Sequence, residues 1–428
     1  MADNTAFSLL KQRSIGTSGM VFQDLSDLAL SQSHASIARS LYIHIPFCSH
    51  KCHYCDFYSI VDRQDRQQLF TDRLVRELRA QAPFAQGQPL KSIFVGGGTP
   101  SLLAPSLWKI ILQELNNLFD MSDIHAGIGE FSVENNPESV SQELAEVYKA
   151  GGVNRISMGA QSFNAAHLKS LDRIHDPAKV PMAIDIFQRA GIKRVSLDLI
   201  FAVPGQTIAQ WDTDLRTALA LPIEHLSAYG LTYEPGTAMT ARLSRGEFNQ
   251  MPDDLEAAMY LHTIKTLGEY GFNRYEVSNH AKTGAECKHN MHYWTSQDWL
   301  AVGPSASGHF RGARWKNTPR LDDYIKLDDQ GFAPICDYEA PDDRRELMDL
   351  LMTSIRLTQG VDAKSAFAQA EPLQAAEKLQ LAASMCQDQG WLMDANTDQW
   401  QLTDEGFLFA DRVAREFIGA LIVDSSCE

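Results

Sequence analysis

The sequence predicts an α/β protein: a partial (β/α)6 TIM-like barrel followed by a C-terminal, mainly α, winged-helix-like domain. Three observations carry this expectation. From residue 41 to about 235, six short apolar runs of β type alternate with helix-like segments, the spacing of repeated βα units on a parallel sheet. The chain, at 428 residues, is longer than one usual domain. Its last part reads as helices, a short hairpin and a further helix.

Taken in order, residues 1–40 are rich in Ser, Gln and Ala and read as a poorly ordered N-terminal extension. No basic stretch followed by an apolar one marks a secretion signal, and Asp3, Asp24 and Asp27 argue against a transit peptide. The barrel runs are 41–47, 92–95, 131–133, 155–158, 194–200 and 225–231. After the first of them Leu69, Phe70, Leu74, Val75 and Leu78 fall on one helical face. Six units imply a partial barrel rather than the full eight. In such sheets the working residues sit at the C-terminal ends of the strands and in the loops that follow. A helix is expected over 253–270. The core region is expected to span 41–310, a connecting segment 311–340 and the C-terminal domain 341–428. In that domain Leu347, Leu350, Leu351 and Ile355 have the spacing of a buried helix face. Segments 390–392 and 400–403 then suggest the hairpin, and a final helix runs through Phe407 and Phe417.

Composition narrows the function. A net charge of −16 opposes unspecific binding to polyanions, so nucleic acid is not an expected partner. Winged-helix modules often bind DNA, but Asp388, Asp394, Asp398, Asp404 and Glu405 make this one acidic, and it reads as a packing or partner-docking domain. The sequence has no run of about 18 apolar residues, and no membrane span is expected. Clustered cysteines without a sign of export point to a cytoplasmic protein.

The chemistry starts at Cys48-Ser49-His50-Lys51-Cys52-His53-Tyr54-Cys55, where three of seven cysteines fall within eight residues directly after the first run. An odd number of clustered cysteines does not make a disulfide framework. Zinc would want a fourth Cys or His to close a tetrahedron, and His44, His50 and His53 are nearby. An iron–sulfur cluster normally takes four thiolates; with three, one iron keeps an open position at which a small molecule can bind and react. Further motifs follow the later runs. Gly96-Gly97-Gly98-Thr99-Pro100 lets the backbone approach a ligand closely, although glycine after a strand is often only a turn. Glu134 ends the third run, where a carboxylate can equally be a solvated rim. Gln161 follows the fourth. Asp198 sits among aliphatics in the fifth, where it needs a partner; Arg173 is the obvious one for a salt bridge.

The C-x3-C-x2-C array after a strand resembles the signature of the radical S-adenosylmethionine (SAM) superfamily. Its flanks, Tyr42 to Cys48 and Cys55-Asp56-Phe57, resemble the coproporphyrinogen III oxidase-like group. The likeness covers about residues 41–310, with motifs recurring in order through 229–237. Its Gly-Leu-Pro-Gly-Gln-Thr turn has a counterpart at 202–207, with Ala202 and Val203 in the first two places; Ala202 adopts positive φ less freely than glycine. The resemblance implies a 4Fe-4S cluster on Cys48, Cys52 and Cys55 and SAM as a second cofactor. It implies cofactor contacts at Tyr42, Tyr54, Phe57, Gly98, Thr99, Glu134, Gln161, Arg173 and Asp198, with Gly98 and Thr99 near the methionine amino group.

Cys287-Lys288-His289-Asn290-Met291-His292-Tyr293-Trp294 adds a third element. Imidazole is a good iron ligand and aromatic neighbours can cover a flat macrocycle, yet one His beside Tyr and Trp is also an ordinary packing residue. The pattern resembles that of HemW-type haem chaperones, which implies haem as a further cofactor with His289 as its ligand, then His292 and His309. Two branches of the group therefore compete. One is the oxygen-independent coproporphyrinogen III oxidase of porphyrin biosynthesis, which uses a 5′-deoxyadenosyl radical for oxidative decarboxylation. The other carries haem to acceptor proteins. Phe57 stands where the oxidase has a fourth cysteine, which together with the His289 motif favours the haem chaperone. That reading brings in haem, a haem-accepting apoprotein and an electron donor for the cluster as partners, and is compatible with a homodimer. A radical SAM enzyme acting on an unrelated substrate is the third reading.

Overall fold

A computed structural model describes residues 37–326 and 331–422. The expectations for residues 1–36 lie outside the described residues. All six expected strands form: β1 (Ser40–Ile45), β2 (Ser92–Gly97), β3 (Glu130–Asn135), β4 (Arg155–Gln161), β5 (Arg194–Phe201) and β6 (His225–Gly230). They pair parallel and in sequence order. The crossovers carry α1 (Gln67–Gln81), α2 (Pro105–Leu118), α3 (Gln142–Ala150), α4 (Lys179–Arg189) and α5 (Ile208–Leu219). Each helix buries an apolar face; on α2 it consists of Leu107, Trp108, Ile111, Leu112 and Leu115. Helix α5 begins with a capping box in which Thr207 and Gln210 satisfy each other's backbone N–H.

Parallel strands covered on both faces usually read as unbroken apolar runs. These strands alternate instead. Ile43, Ile93, Val133, Ile156, Leu197 and Leu226 are buried in the apolar core. The residues between them, among them His44, Glu134, Ser157, Asp198 and Ser227, line a polar interior.

The sheet also extends beyond six strands. β7 (Asn273–Arg274) and β8 (Asn279–Ala281) add antiparallel pairings beyond β6, and β9 (Leu300–Val302) lies parallel to β1 at the other edge. Two- and three-residue strands are too short to show a period, which is why the sequence reading stops at six. Among the described residues β7 and β9 form the two edges, so the sheet does not close on itself. Between β6 and the edge lies α6 (Asp253–Glu269), as expected, and α7 (Lys288–Trp294) precedes β9.

After β9 comes a three-stranded antiparallel sheet of β10 (Ser307–Phe310), β11 (Ala313–Asn317) and β12 (Ile335–Glu339). It is tied to the barrel through Glu77, whose carboxylate accepts from Gly303 N (2.9 Å), Asn317 Nδ2 (2.8 Å) and Tyr324 OH (2.7 Å). The C-terminal part packs α8 (Asp343–Ser354), α9 (Ala363–Ala370), α10 (Ala376–Asp388) and α11 (Ala410–Leu421) around Trp400, which contacts Phe367 and Phe417. The expected hairpin is present: Met393 N donates to Gln401 O (2.9 Å) and Thr403 N to Trp391 O (3.0 Å). Among the described residues no helix is long and apolar enough to cross a membrane.

Candidate functional site

The cysteine loop leaves the end of β1 and is closed at its neck, where Cys48 N donates to Ile60 O and Ile60 N to Pro46 O, both at 2.8 Å. Within it Cys55 N donates to Cys52 O at 3.2 Å, closing a turn between the last two cysteines. All three cysteines line a cavity of about 400 Å³ at the C-terminal ends of the strands, where a parallel sheet places ligands. The same cavity gathers Tyr54, Phe57, Gly98, Thr99, Glu134, Gln161, Arg173 and Asp198. Burial pushes the Cys48 thiol up and Cys55 up to about 11. Cationic surroundings would reverse that, and a bound metal centre supplies them.

The three glycines after β2 have a reason that the sequence hides. A Cβ at Gly96 would meet Glu134 Oε2 at 2.8 Å, one at Gly97 the His44 ring at 2.5 Å, and one at Gly98 the Phe47 carbonyl oxygen at 2.7 Å. Gly97 has φ +109°, open to glycine only. Each glycine makes room for a residue of the site. Gly98 N then donates to Ile45 O (2.8 Å) and Thr99 N to Phe47 O (2.7 Å), which seats the cysteine loop on β2. Thr99 Oγ1 lies 3.5 Å from Cys48 Sγ.

Glu134 accepts from Gly97 N at 3.2 Å; burial, and next the Asp198 charge, push its carboxyl up to about 7. Asp198 is raised by burial as well. The expected Arg173–Asp198 salt bridge is not made. Asp198 accepts from Ser157 Oγ at 3.1 Å, whereas Arg173 donates to Gly159 O (3.0 Å), His175 Nδ1 (3.2 Å) and Cys52 Sγ (3.6 Å). Serine hydroxyls meet the carboxylate's need for donors within the sheet, and the guanidinium is left facing a thiol. Gln161 at φ +63° and Ala202 at φ +60° hold left-handed conformations that L-residues adopt at a cost.

A second cavity, of about 540 Å³, shares Asp56, Phe57, Glu134, Asp198 and Tyr229 with the first. Tyr42 lines it, with His44, Phe94, Arg155, Asn290, Tyr293, Trp299 and Lys316. Phe57, 65 % exposed, stands at the rim of both. His289 lines neither cavity. Its side chain is fully buried, its Nδ1 pairs with Ser92 Oγ at 2.8 Å and its Nε2 with Tyr293 OH at 2.7 Å, and burial keeps it neutral. Both ring nitrogens are thus engaged, and Nε2 is freed only by moving Tyr293. His292 bonds Gln297 Oε1 (2.7 Å) and His309 bonds Gln297 O (3.2 Å). The sequence reading missed Arg155, Phe94, Trp299 and Lys316, and weighed His44 only as a possible zinc ligand. The signal available for Arg155, Phe94 and His44 was alternation: each follows or precedes an apolar residue on a strand whose other face is core.

Comparison with known proteins bears on this arrangement. The family model for the Radical SAM superfamily matches residues 42–218, and that for the HemN C-terminal domain matches residues 342–409. Heme chaperone HemW of Bacillus subtilis is 34% identical over 76% of this chain and 85% of its own length. The proteins of that name from Mycobacterium tuberculosis and Escherichia coli are 34% and 32% identical over 89% of this chain, covering 94% and 98% of theirs. Among solved structures, coproporphyrinogen III oxidase (HemN) from Escherichia coli, described as a radical SAM enzyme, superposes with a TM-score of 0.79 at 21% identity. That match covers 96% of this chain and 98% of that one, and supports the shared fold. The motif spacing, the order of the site elements and identity sustained along both chains agree: the chain belongs to the haem chaperone HemW family of radical SAM proteins.

Proposed function

We propose that this chain holds a 4Fe-4S cluster on Cys48, Cys52 and Cys55, binds SAM beside it, carries haem and passes it to an acceptor apoprotein. The observation that carries the reading is the shared wall. A cavity lined by three thiols shares Glu134, Asp198 and Tyr229 with an aromatic cavity that contains Asn290 and Tyr293 of the His289 motif. The donor set fits the cluster: among the described residues no group of three or more His, Cys, Asp or Glu side chains is gathered for a single metal ion, and the three thiols line a space instead. When bound, such a cluster supplies an open iron for SAM and an electron for its reduction.

The chain's residues do the rest. Arg173 places a guanidinium 3.6 Å from Cys52 Sγ, at the edge of the cluster site. Glu134 offers an acceptor for the amino group of SAM, with Gly98 and Thr99 lining the space beside it. Tyr42, Tyr54 and Phe57 supply aromatic surface, and Gln161 and Asp198 close the polar wall. His289 stays the haem-ligand candidate, with Tyr293 OH as the group it must release. In domain terms the cofactors belong to 41–310, the connection 311–340 adds Lys316 to the second cavity, and 341–428 is the acceptor-docking module. A cytoplasmic location, an electron donor for the cluster and a homodimer complete the proposal.

The decisive experiment uses anaerobically reconstituted protein. With coproporphyrinogen III, SAM and a reductant it should form no protoporphyrinogen IX. With haem it should give a saturable Soret change, and should then load apomyoglobin as a generic acceptor. Turnover of coproporphyrinogen III would move the protein to the oxidase branch. Cys48→Ala, Cys52→Ala or Cys55→Ala should each abolish the brown cluster absorbance, and full iron retention would overturn the ligand assignment. His289→Ala should alter the haem spectrum or affinity; an unchanged titration places the ligand elsewhere.

A further inference from the structure

The second cavity contains two cations, and only one of them is engaged. Arg155 faces the buried Glu130 carboxylate at 3.9 Å and donates to Ser132 Oγ at 3.3 Å. Lys316 lies on β11 between Trp315 and Asn317, both buried, and lines the cavity. Among the described residues it makes no ion pair, although three carboxylates line the same space. Of these, Glu134 is turned to Gly97 N, Asp198 to Ser157, and Asp56 is exposed; Asp337, opposite Lys316 on β12, does not line the cavity. The other side of the cavity is aromatic: Tyr42, Phe94, Tyr293 and Trp299. Lys316 is half-buried beside these walls and forms an ion pair with none of those carboxylates. Aromatic faces and one free cation together match a planar, apolar ligand that carries a carboxylate on its edge.

We propose that Lys316 anchors a ligand carboxylate in this cavity and, on the haem reading above, that the carboxylate is a haem propionate. The pairing fixes which edge of the macrocycle meets the β10–β12 sheet. The methionine carboxylate of SAM has the same chemistry, so the experiment has an arm for each source.

Reconstituted wild-type protein, Lys316→Met and Lys316→Arg are titrated with haem, with haem dimethyl ester and with SAM. Methionine keeps the aliphatic stem and removes the charge. The expected result is a loss of about tenfold in haem affinity for Lys316→Met, the size of a lost charge-assisted hydrogen bond. The dimethyl ester should bind wild type and Lys316→Met alike, SAM affinity should not move, and Lys316→Arg should recover most of the haem binding. Equal haem affinity in Lys316→Met overturns the proposal. So does an equal loss for haem and its ester, which would make Lys316 a packing residue. A loss for SAM instead of haem assigns the carboxylate to SAM and overturns it too. If Lys316→Met does not fold, judged by its cluster content, Lys316→Gln is read in the same three titrations. Absence of haem binding in the wild type is a separate failure, that of the haem reading itself.

Discussion

On the proposed reading, Glu134 sets how SAM binding responds to pH. Its carboxyl is pushed from 4.5 up to about 7, and among the described residues only Gly97 N donates to it. A ligand ammonium requires the charged form, so SAM affinity should rise as pH passes from about 6 to about 8 and then level off. Glu134→Gln should weaken binding several-fold at pH 8 and flatten that rise, measured by calorimetry on reconstituted protein; the same slope in both proteins would implicate another group. The stability sign is opposite. Because the folded value lies above that of the unfolded carboxyl, this group's stabilisation is full below about 4.5 and is lost as pH rises through about 7. Glu134 and the cysteines were legible because their positions relative to strands are local. The reason for three glycines was not, since Gly96, Gly97 and Gly98 each yield space to residues from other segments. Nor was the separation of Arg173 from Asp198, which depends on Ser157 one strand away.

At the scale of elements, the strands β1 to β6 were readable because apolar residues recur in each and helical segments separate them. Their alternation carries the site, yet it was read only as apolarity. The segment after β9 was read as a connection, and its sheet rests on contacts between residues far apart in sequence. Glu77 is the clearest of these. It sits fully buried on α1, and although Arg73 and the donors from Gly303, Tyr324 and Asn317 favour the charged form, burial still lifts its carboxyl to about 7. Glu77→Ala would leave those donors unpaired inside the protein. A loss of about 3 kcal/mol is expected, in the range for breaking one partner of a buried charged network. Urea unfolding of the cluster-free protein measures it. A change below about 1 kcal/mol would mean that β9 and the small sheet are held by apolar contacts alone.

Across the whole molecule, the C-terminal domain is connected to the cavity by a short strap. Arg274 on β7 lies over the Phe407 ring at 3.7 Å and donates to Asp404 at 2.7 Å. Its neighbour Tyr275 takes Thr358 N on its carbonyl (2.9 Å), while its hydroxyl meets His225 Nε2 (2.8 Å) and Cys287 N (3.3 Å). His225 lines the second cavity, and Cys287 stands just before α7. No periodicity links positions 274 and 407, so this link could not be read from sequence, where the domain showed only as helices and a hairpin. Arg274→Met removes the cation and keeps the stem. Asp404 is mostly exposed, so its ion pair counts for little, and the stacked cation contributes most of an expected loss of about 1 to 2 kcal/mol. If the domain steadies α7 through Tyr275, the variant should bind haem more weakly while cluster iron stays constant, and limited proteolysis should detach the C-terminal part sooner. Faster proteolysis with unchanged haem affinity would mean that the domain packs against the barrel without supporting the cargo site.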